Sequence, residues 1–258
     1  MIRIGITGIA GRMGRLLAEE VVGAGVLAGG TLRPGSAARP PDGVPILADI
    51  AALAAASDVV IDFTHAAAVS THAAALAAAK TPWVLGTTGL FDADEGAVAA
   101  AAREVPVCAA PNFSPGVTLL LALAERMAAA LPAESYDAEI VEMHHRQKVD
   151  APSGTALGLG RAVAAGRGVD LAAVMESGRH GQTGARKTGA IGFAALRGGQ
   201  VVGEHTLIFA GANEHIGLSH RAFDRRIFAQ GAVRAALWLV GRPPGLYTMR
   251  DVLGLGAQ

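Results

Sequence analysis

The sequence is poor in cysteine, in aromatic residues and in net charge. Its 258 residues include one cysteine, aromatic side chains make up 4%, and 22 Lys and Arg balance 22 Asp and Glu. A single thiol, Cys108, cannot form an internal disulfide framework, so a reducing compartment is expected. Balanced charge leaves no basic stripe of the kind that nucleic-acid binding requires. We therefore expect no nucleic-acid partner.

Long apolar runs and a targeting segment are also missing. No uncharged apolar stretch approaches the ~20 residues of a membrane-spanning helix. The chain opens directly on a strand-like run, Ile2–Ile6, without a basic segment followed by an apolar one. These features predict a cytoplasmic protein with no membrane partner. Hydrophobic residues nevertheless make up 51%, and a chain of this length predicts a full core divided between two domains.

Short β-branched runs alternate with alanine-rich amphipathic segments over the first 110 residues, a pattern typical of helices covering a parallel sheet. Strands are predicted at Ile2–Ile6, Val26–Leu32, Val59–Phe63, Trp83–Leu85 and Val105–Cys108. Helices are predicted at Arg12–Val22, Thr64–Ala79 and Ala93–Arg103, and alanine propensity favours another over 51–56.

The pattern changes after Pro115. It predicts a helix at Val117–Leu131, a strand at Ala138–Met143, a helix from Ser153, hairpin-like strands at Ile191–Leu196, Val201–Phe209 and His215–Ser219, and a last helix at Arg225–Val240. The last helix is expected to pack back onto the first domain. The predicted fold class is therefore α/β: a Rossmann-type parallel-sheet domain, residues 1–114 plus 225–258, with an inserted α+β mixed-sheet domain, residues 115–224. The inserted sheet must cover apolar runs such as Thr206–Phe209, which predicts association between subunits.

A glycine-rich turn, Gly8–Gly14, directly follows the first strand and opens the first helix. Glycines in this position let the backbone approach a pyrophosphate, whose charge the helix N-terminus stabilises. The spacing is Gly-x-x-Gly-x-x-Gly and not the commoner Gly-x-Gly-x-x-Gly, so the alternative interpretation is a tight turn that binds no ligand. Two further loops, Gly86–Gly89 and Ala110–Gly116, follow strands at their carboxyl ends, where open α/β sheets bind ligands. Each alone is a plain turn, but together with the 144–156 loop they favour one shared crevice.

The segment 144–156 reads His-His-Arg-Gln-Lys-Val-Asp-Ala-Pro-Ser-Gly-Thr-Ala and has the chemistry of an anion-binding active-site loop. His144 and His145 can exchange protons near neutral pH. Arg146 and Lys148 can hold a carboxylate, and the turn 153–155 can offer N–H groups where a helix begins. A small dianionic substrate would fit. Because adjacent residues at a strand end point to opposite faces, at most one histidine is expected to transfer protons.

Other interpretations of these residues are weaker. Glu142, His144 and His145 could in principle ligate a metal, but no further ligand motif accompanies them, so no metal is predicted. Lys148 could be an ordinary solvated lysine. The histidines at 65 and 72 are interpreted as surface or capping residues, and none of those at 180, 205, 215 and 220 is assigned a role.

The chain resembles the 4-hydroxy-tetrahydrodipicolinate reductase family, formerly dihydrodipicolinate reductase, nearly end to end. The resemblance rests on Gly-Arg-Met-Gly at 11–14, Ile-Asp-Phe-Thr at 61–64, Gly-Thr-Thr-Gly at 86–89, Asn-Phe-Ser at 112–114, Glu-x-His-His-Arg-x-Lys-x-Asp-Ala-Pro-Ser-Gly-Thr-Ala at 142–156 and Met-Arg-Asp-Val-Leu at 249–253. The long motif is the most specific of these.

The resemblance implies an NAD(P)H-dependent reduction of 4-hydroxy-tetrahydrodipicolinate with loss of water, in diaminopimelate and lysine biosynthesis. It implies His144 as proton donor or acceptor and Lys148 as a second proton donor. The substrate, a small cyclic dicarboxylate, would be bound by His145, Ser153, Gly154 and Thr155. The cofactor, NADPH or NADH, would be bound by Gly8, Ile9, Ala10, Gly11, Arg12, Met13, Gly86, Thr87, Thr88, Ala110, Pro111, Asn112 and Phe113. A homotetramer built by the inserted domain is also implied.

The end of the second predicted strand departs from the family. Relatives often carry an acidic residue there that accepts from the ribose hydroxyls, but the segment 31–35 has none and carries Arg33 instead. An arginine can pair with the 2′-phosphate of NADPH. Arg33 is therefore predicted to bind the cofactor and to favour NADPH, unless Pro34 and Gly35 turn it away. Two other functions stay open: another Rossmann-fold amino-acid dehydrogenase, of the aspartate or homoserine type, and a non-catalytic NAD(P)-sensing protein.

Overall fold

The computed structural model describes residues 1–33 and 35–256. The described chain forms two compact units. The first runs to Pro115 and resumes at Arg226, and the second is Gly116–Arg225. Pro34, which enters the expectation for Arg33, and the last two residues of the predicted first domain lie outside the described residues. No helix within the described ranges is long and apolar enough to cross a membrane.

The strands and helices follow one another in short steps along the chain. The strands are β1 (Arg3–Thr7), β2 (Val26–Gly30), β3 (Val59–Asp62), β4 (Trp83–Leu85), β5 (Pro106–Ala109), β6 (Asp137–His144), β7 (Met175–Ser177), β8 (Ile191–Arg197), β9 (Gly203–Ala210), β10 (His215–Ala222) and β11 (Gly245–Tyr247). The helices are α1 (Arg12–Val22), α2 (Ile50–Ala56), α3 (Ala66–Ala78), α4 (Asp92–Ala102), α5 (Pro115–Ala130), α6 (Gly154–Gly166), α7 (Leu171–Val174), α8 (Arg226–Leu239) and α9 (Met249–Val252).

The first unit is a six-stranded parallel sheet in the order β11-β5-β4-β3-β1-β2. One apolar layer packs α1, α8 and α9 against the sheet, and a second packs α2, α3 and α4. The chain steps outward from β1 to β2 and then returns to β3 on the other side of β1. Open α/β sheets bind ligands at the carboxyl ends of the strands where the order reverses in this way. The topology therefore puts a binding cleft at the ends of β1, β2 and β3.

The second unit is a five-stranded mixed sheet in the order β10-β9-β6-β8-β7. Helices α5 and α6 bury one of its faces around Ile140, Leu207 and Phe209. The central strand β6 pairs antiparallel with β9 and parallel with β8. The prediction that the strands near 191–219 follow one another as hairpins is wrong for β8, because β6 lies between β8 and β9; only β9 and β10 form a hairpin. The Rossmann-type sheet with a second mixed-sheet unit is confirmed.

Candidate active site

The glycine turn after β1 has the tight geometry that its sequence predicts. Gly8 has a φ of 60°, a conformation that favours glycine. The Gly11 N–H donates to the Gly8 carbonyl at 2.9 Å. A Cβ on Gly14 would lie 2.4 Å from that carbonyl oxygen, so only glycine lets α1 pack this closely. Because Gly11 provides no side-chain cap for α1, the first N–H groups of the helix are left for a ligand.

A cleft of ≈ 340 Å³ opens beside this turn, within the size range of small-molecule sites. It is lined by the residues that follow β1, β2 and β3 and by the first turns of α3: Gly8, Ala10, Gly11, Thr31, Leu32, Arg33, Ser36, Ala38, Phe63, Thr64, His65, Ala68 and His72. Arg33 is exposed on its rim. Its guanidinium has no hydrogen bond or ion pair to the rest of the described chain.

The loops after β4 and β5 could contact a ligand mainly through their backbone, because few of their side chains are free to do so. A Cβ on Gly86 would lie 2.3 Å from the Phe63 ring, so glycine is required there. The hydroxyl of Thr87 accepts from the Thr64 N–H at 3.1 Å and is thereby used inside the unit, while Thr88 is exposed. Phe113 is only 1% exposed. Its side chain therefore belongs to the core, and only its backbone is placed to meet a ligand.

Asp62 is a buried acid at the end of β3 that sequence reasoning did not single out. Its Oδ1 accepts from the Thr7 hydroxyl at 2.9 Å and from the Thr64 N–H and hydroxyl at 3.1 and 2.6 Å. Its Oδ2 lies 2.6 Å from Nδ1 of His72. Burial raises the pKa of Asp62, but the hydrogen bond and charge of His72, aided by both threonine hydroxyls, bring that pKa below its ordinary value. His72 is therefore not the surface residue that the sequence suggested.

In the second unit, strict alternation along β6 brings Glu142 and His144 to the same buried face. Glu142 is 1% exposed and His144 9%. Nδ1 of His144 lies 2.6 Å from Oε2 of Glu142. A carboxylate can only accept, so Nδ1 carries the proton, and Nε2, which lies beside Gly203, is the other ring nitrogen. Nε2 has no hydrogen-bond partner within the described part of the chain.

Glu142 is held from three sides. Arg197, at the end of the neighbouring strand β8, donates to both of its oxygens at 2.9 Å, and the Ser153 N–H donates to Oε1 at 3.1 Å. Burial raises the pKa of Glu142, but Arg197 and His144 outweigh it and leave the pKa below its ordinary value. A fixed guanidinium on both oxygens is a poor setting for a divalent cation.

The environment of His144 favours its neutral form. Burial lowers its pKa most, Glu142 raises it, and the charges of Lys148 and Arg197 lower it further, so the net pKa is below 6.5. Lys148 is held nearby by Asp150, whose two oxygens lie 2.8 and 2.9 Å from Nζ. The site thus combines a histidine that releases protons readily with two cations.

The predicted helix start at Ser153 is confirmed. The Ser153 hydroxyl caps α6 by accepting from the Ala156 N–H at 3.2 Å. Nε2 of His205 also lies 3.0 Å from this hydroxyl, and the rings of His205 and His144 meet edge to face with centroids 5.1 Å apart. Burial, together with the charge of His144, lowers the pKa of His205 to about 4. His205 belongs to the cluster although its sequence position gave no sign of it.

The side chain of His145 has different neighbours from that of His144, as expected for adjacent residues. Its N–H donates to the Val201 carbonyl at 2.7 Å. Its Nε2 lies 3.4 Å from a nitrogen of Arg225, a long contact, and its buried Nδ1 has no partner among the described residues. His145 therefore has spare hydrogen-bonding capacity, but it is not held by an acid as His144 is.

Comparison with known proteins identifies the family. The model of the dihydrodipicolinate reductase N-terminus matches residues 2–113, and that of the C-terminus matches residues 116–253. The chain belongs to the dihydrodipicolinate reductase family. It is 68% identical over 254 residues to the 4-hydroxy-tetrahydrodipicolinate reductase of Granulibacter bethesdensis, covering 98% of this chain and 97% of that one. It is 66% identical over 255 residues to the same enzyme of Acidiphilium cryptum, covering 98% of each chain.

A solved structure supports the same relationship. The dipicolinate-bound dihydrodipicolinate reductase of Paenisporosarcina sp. TG-14 superposes with a TM-score of 0.77 at 25% identity, covering 97% of this chain and 98% of that one. The resemblance stated from the sequence motifs is thereby confirmed. The roles of individual residues remain predictions.

Proposed function

We propose that the protein reduces 4-hydroxy-tetrahydrodipicolinate to tetrahydrodipicolinate with loss of water, using a reduced nicotinamide dinucleotide. The observation that carries this proposal is the cluster in the second unit. A buried acid holds His144 by one ring nitrogen, and Lys148 and the start of α6 lie on the same short loop. The same reaction is named for relatives that match nearly the whole chain.

The first unit fits the dinucleotide. The Gly8–Gly14 turn leaves no room for a Cβ at Gly14 and frees the N-terminal N–H groups of α1, which suits a diphosphate. Gly8–Met13, Gly86–Thr88 and Ala110–Phe113 would hold the cofactor. Ile9 and Phe113 would do so through their backbone, because their side chains are buried. When bound, the reduced nicotinamide supplies the hydride.

The loop 144–156 supplies binding and protons. The Gly154 and Thr155 N–H groups at the start of α6 would hold one carboxylate, with His145 beside them. Ser153 would support this contact as the cap of the helix, because its own N–H and hydroxyl are bonded within the unit. Lys148 would neutralise negative charge and give a proton. His144, with Nδ1 fixed by Glu142, would exchange a proton through Nε2. Loss of water takes a proton from a ring carbon and gives one to the departing hydroxide, and hydride addition leaves an electron pair that must be protonated, so a group that exchanges protons and a proton donor both serve the reaction.

The cofactor preference is proposed to include NADPH. The rim of the cleft after β2 carries Arg33, whose guanidinium has no hydrogen bond or ion pair to the described chain, and the segment 31–33 has no acid that would repel a 2′-phosphate. Arg33 is therefore proposed to pair with that phosphate, so the enzyme uses NADPH at least as well as NADH.

The second unit is proposed to build a homotetramer. The sheet face opposite α5 and α6 carries Val141, Ile208 and Leu196, and Leu196 is 50% exposed. Within the described residues, the two helices cover the other face only. Light scattering at micromolar concentration should give an oligomer, and a stable monomer would contradict this part.

The test of the activity is consumption of NADPH or NADH with freshly made product of the synthase that precedes this step. Aspartate semialdehyde, aspartate and homoserine serve as control substrates. Rapid turnover of the synthase product alone supports the proposal. Turnover of aspartate or homoserine instead would identify an amino-acid dehydrogenase, and cofactor binding without any turnover would identify a sensor.

The binding loop is tested separately with pyridine-2,6-dicarboxylate, the dianion whose binding is named for the Paenisporosarcina relative. It should compete with the substrate and raise the melting temperature. A Thr155→Val, Lys148→Ala double variant should lose most of this effect. If the double variant binds the dianion as well as the wild type does, the proposed substrate site is wrong.

A further inference from the structure

We infer that His72 contacts the ADP-ribose part of the bound dinucleotide and that Asp62 positions it for that contact. The inference rests on the proposed use of the cleft by a dinucleotide. It adds two residues to the proposed cofactor site: Asp62, which lies in the motif Ile-Asp-Phe-Thr but was assigned no role, and His72, which was interpreted as a surface or capping residue.

Asp62 is fully buried and accepts hydrogen bonds on both oxygens. Thr7 and Thr64 donate to Oδ1, and His72 holds Oδ2. A buried carboxylate that receives this many donors has one available position, because moving it would break several bonds at once. Thr7 directly precedes Gly8, and the Thr64 N–H also donates to Thr87. The carboxylate therefore ties together the ends of β1 and β3 and the loop after β4.

The bond to Asp62 fixes the orientation of the His72 ring. An ionised carboxylate only accepts, so Nδ1 of His72 carries the proton and Nε2 is the nitrogen left to meet a ligand. Nε2 makes no hydrogen bond to any described residue. The side chain is 14% exposed, and His72 lines the cleft together with Gly8 and Gly11. The small accessible part of the ring thus lies where the glycine turn would hold the diphosphate.

The chemistry of Nε2 matches what this half of the cofactor offers. A neutral ring accepts a hydrogen bond from a ribose hydroxyl, and a protonated ring donates one to a phosphate oxygen. Both groups belong to ADP-ribose. The nicotinamide is not required for the contact, so a fragment without it can test the contact alone.

The experiment measures the Kd of ADP-ribose by calorimetry in the wild type and in His72→Asn. Asparagine keeps an N–H donor near the position of Nδ1 and removes Nε2. Loss of one hydrogen bond to the ligand should raise the Kd about tenfold. The Kd of pyridine-2,6-dicarboxylate should not change. Thr71→Ala, at an exposed neighbouring position on α3, is the matched control and should bind ADP-ribose as the wild type does.

Asp62→Asn tests the positioning role. The amide places an NH2 group where the carboxylate oxygen accepts from Nδ1, so the charged hydrogen bond that holds the ring is lost; the ring is then less firmly placed, which should weaken ADP-ribose binding although His72 is present. Unchanged ADP-ribose binding in His72→Asn would overturn the inference, even if the melting temperature falls. Unchanged binding in Asp62→Asn alone would overturn the positioning role. A wild type that binds neither ADP-ribose nor cofactor would overturn the proposed function itself.

Discussion

Asp62 in the first unit and Glu142 in the second are both buried acids near the carboxyl end of a strand, and each lies 2.6 Å from Nδ1 of a histidine. They differ in what neutralises their charge. Apart from His72, Asp62 is bound by hydroxyl and backbone N–H groups, whereas Glu142 is bridged by the guanidinium of Arg197 through two bonds of 2.9 Å.

The difference supports a positioning role for Asp62 and the proton-transfer role proposed for His144. Since Arg197 already balances Glu142, the charge of Glu142 does not require a proton on His144, and burial, aided by the charges of Lys148 and Arg197, lowers the pKa of His144. His144 can therefore lose and regain a proton while Glu142 keeps its ring in place. No fixed cation in the described chain contacts Asp62, so its network depends on His72 and the hydroxyls. That network is suited to holding loops in place.

The largest effect is expected for the residues of the second unit that are proposed to transfer protons. His144→Gln and Lys148→Ala should each fold normally and lower kcat by about 10²- to 10⁴-fold, the usual contribution of general acid–base catalysis. Circular dichroism and steady-state kinetics measure both. If both variants lose less than a few-fold in kcat, these residues are not part of the mechanism.

Exchanging each acid for its amide tests the comparison directly. Glu142→Gln leaves Arg197 without a charged partner and His144 without its orienting acid, so kcat should fall roughly 10- to 100-fold, the range found when a metal-bound histidine loses the acid on its other nitrogen. The free energy of unfolding should fall by about 2–3 kcal/mol, because Glu142 is buried and Arg197 only partly exposed.

Asp62→Asn should change the KM for the cofactor and not kcat. It should raise the KM for the cofactor several-fold and leave kcat at saturation close to that of the wild type, since no proton-transferring group contacts Asp62 in the described chain. Kinetics with each reactant varied in turn separate the two variants. The contrast fails if both variants change the same parameter.

Much of this comparison could not be predicted from sequence. The adjacent histidines and the start of α6 at Ser153 are local features: the helix start was predicted correctly, and the two rings have different surroundings as expected. Arg197 lies 55 residues from Glu142 and meets it only because β6 pairs with β8, a long-range pairing that hairpin reasoning missed. His72 sits in an alanine-rich helix without a clear polar face, so only the position of Asp62 shows which way its ring turns.

Most strands of the two sheets were easier to predict than β11, the last strand of the first sheet. The strand β6 was predicted within its bounds at Ala138–Met143, and α2 followed from alanine propensity. The strand β11 is only three residues long and follows two prolines, so nothing local marks it as the sixth strand of the first sheet. Its place is decided by its pairing with β5.

A smaller effect is expected from His205, which contacts both the capping hydroxyl of Ser153 and the ring of His144. An unfolded histidine binds a proton near pH 6.5, whereas the pKa of His205 in the folded chain is about 4. Between these values the unfolded chain holds more protons, so the free energy of unfolding decreases as the pH falls, by at most about 1.4 kcal/mol per pH unit for this group. His205→Gln should flatten this slope in denaturant titrations. His215→Gln, at an exposed position, should keep it, and equal slopes in all three proteins would refute the assignment.

The smallest effect concerns Arg33, which is exposed on the cleft rim whereas Asp62 is buried beneath it. An exposed pair between a guanidinium and a phosphate is screened by water and salt and contributes at most about 1 kcal/mol, which corresponds to a few-fold change in kcat/KM. Arg33→Ala should therefore lower kcat/KM for NADPH a few-fold and leave the value for NADH unchanged. The difference should shrink at high ionic strength, whereas the effect of Asp62→Asn, carried by a buried network, should not. A wild type that strongly prefers NADH, or an Arg33→Ala variant with unchanged NADPH efficiency, would show that Arg33 does not bind the phosphate.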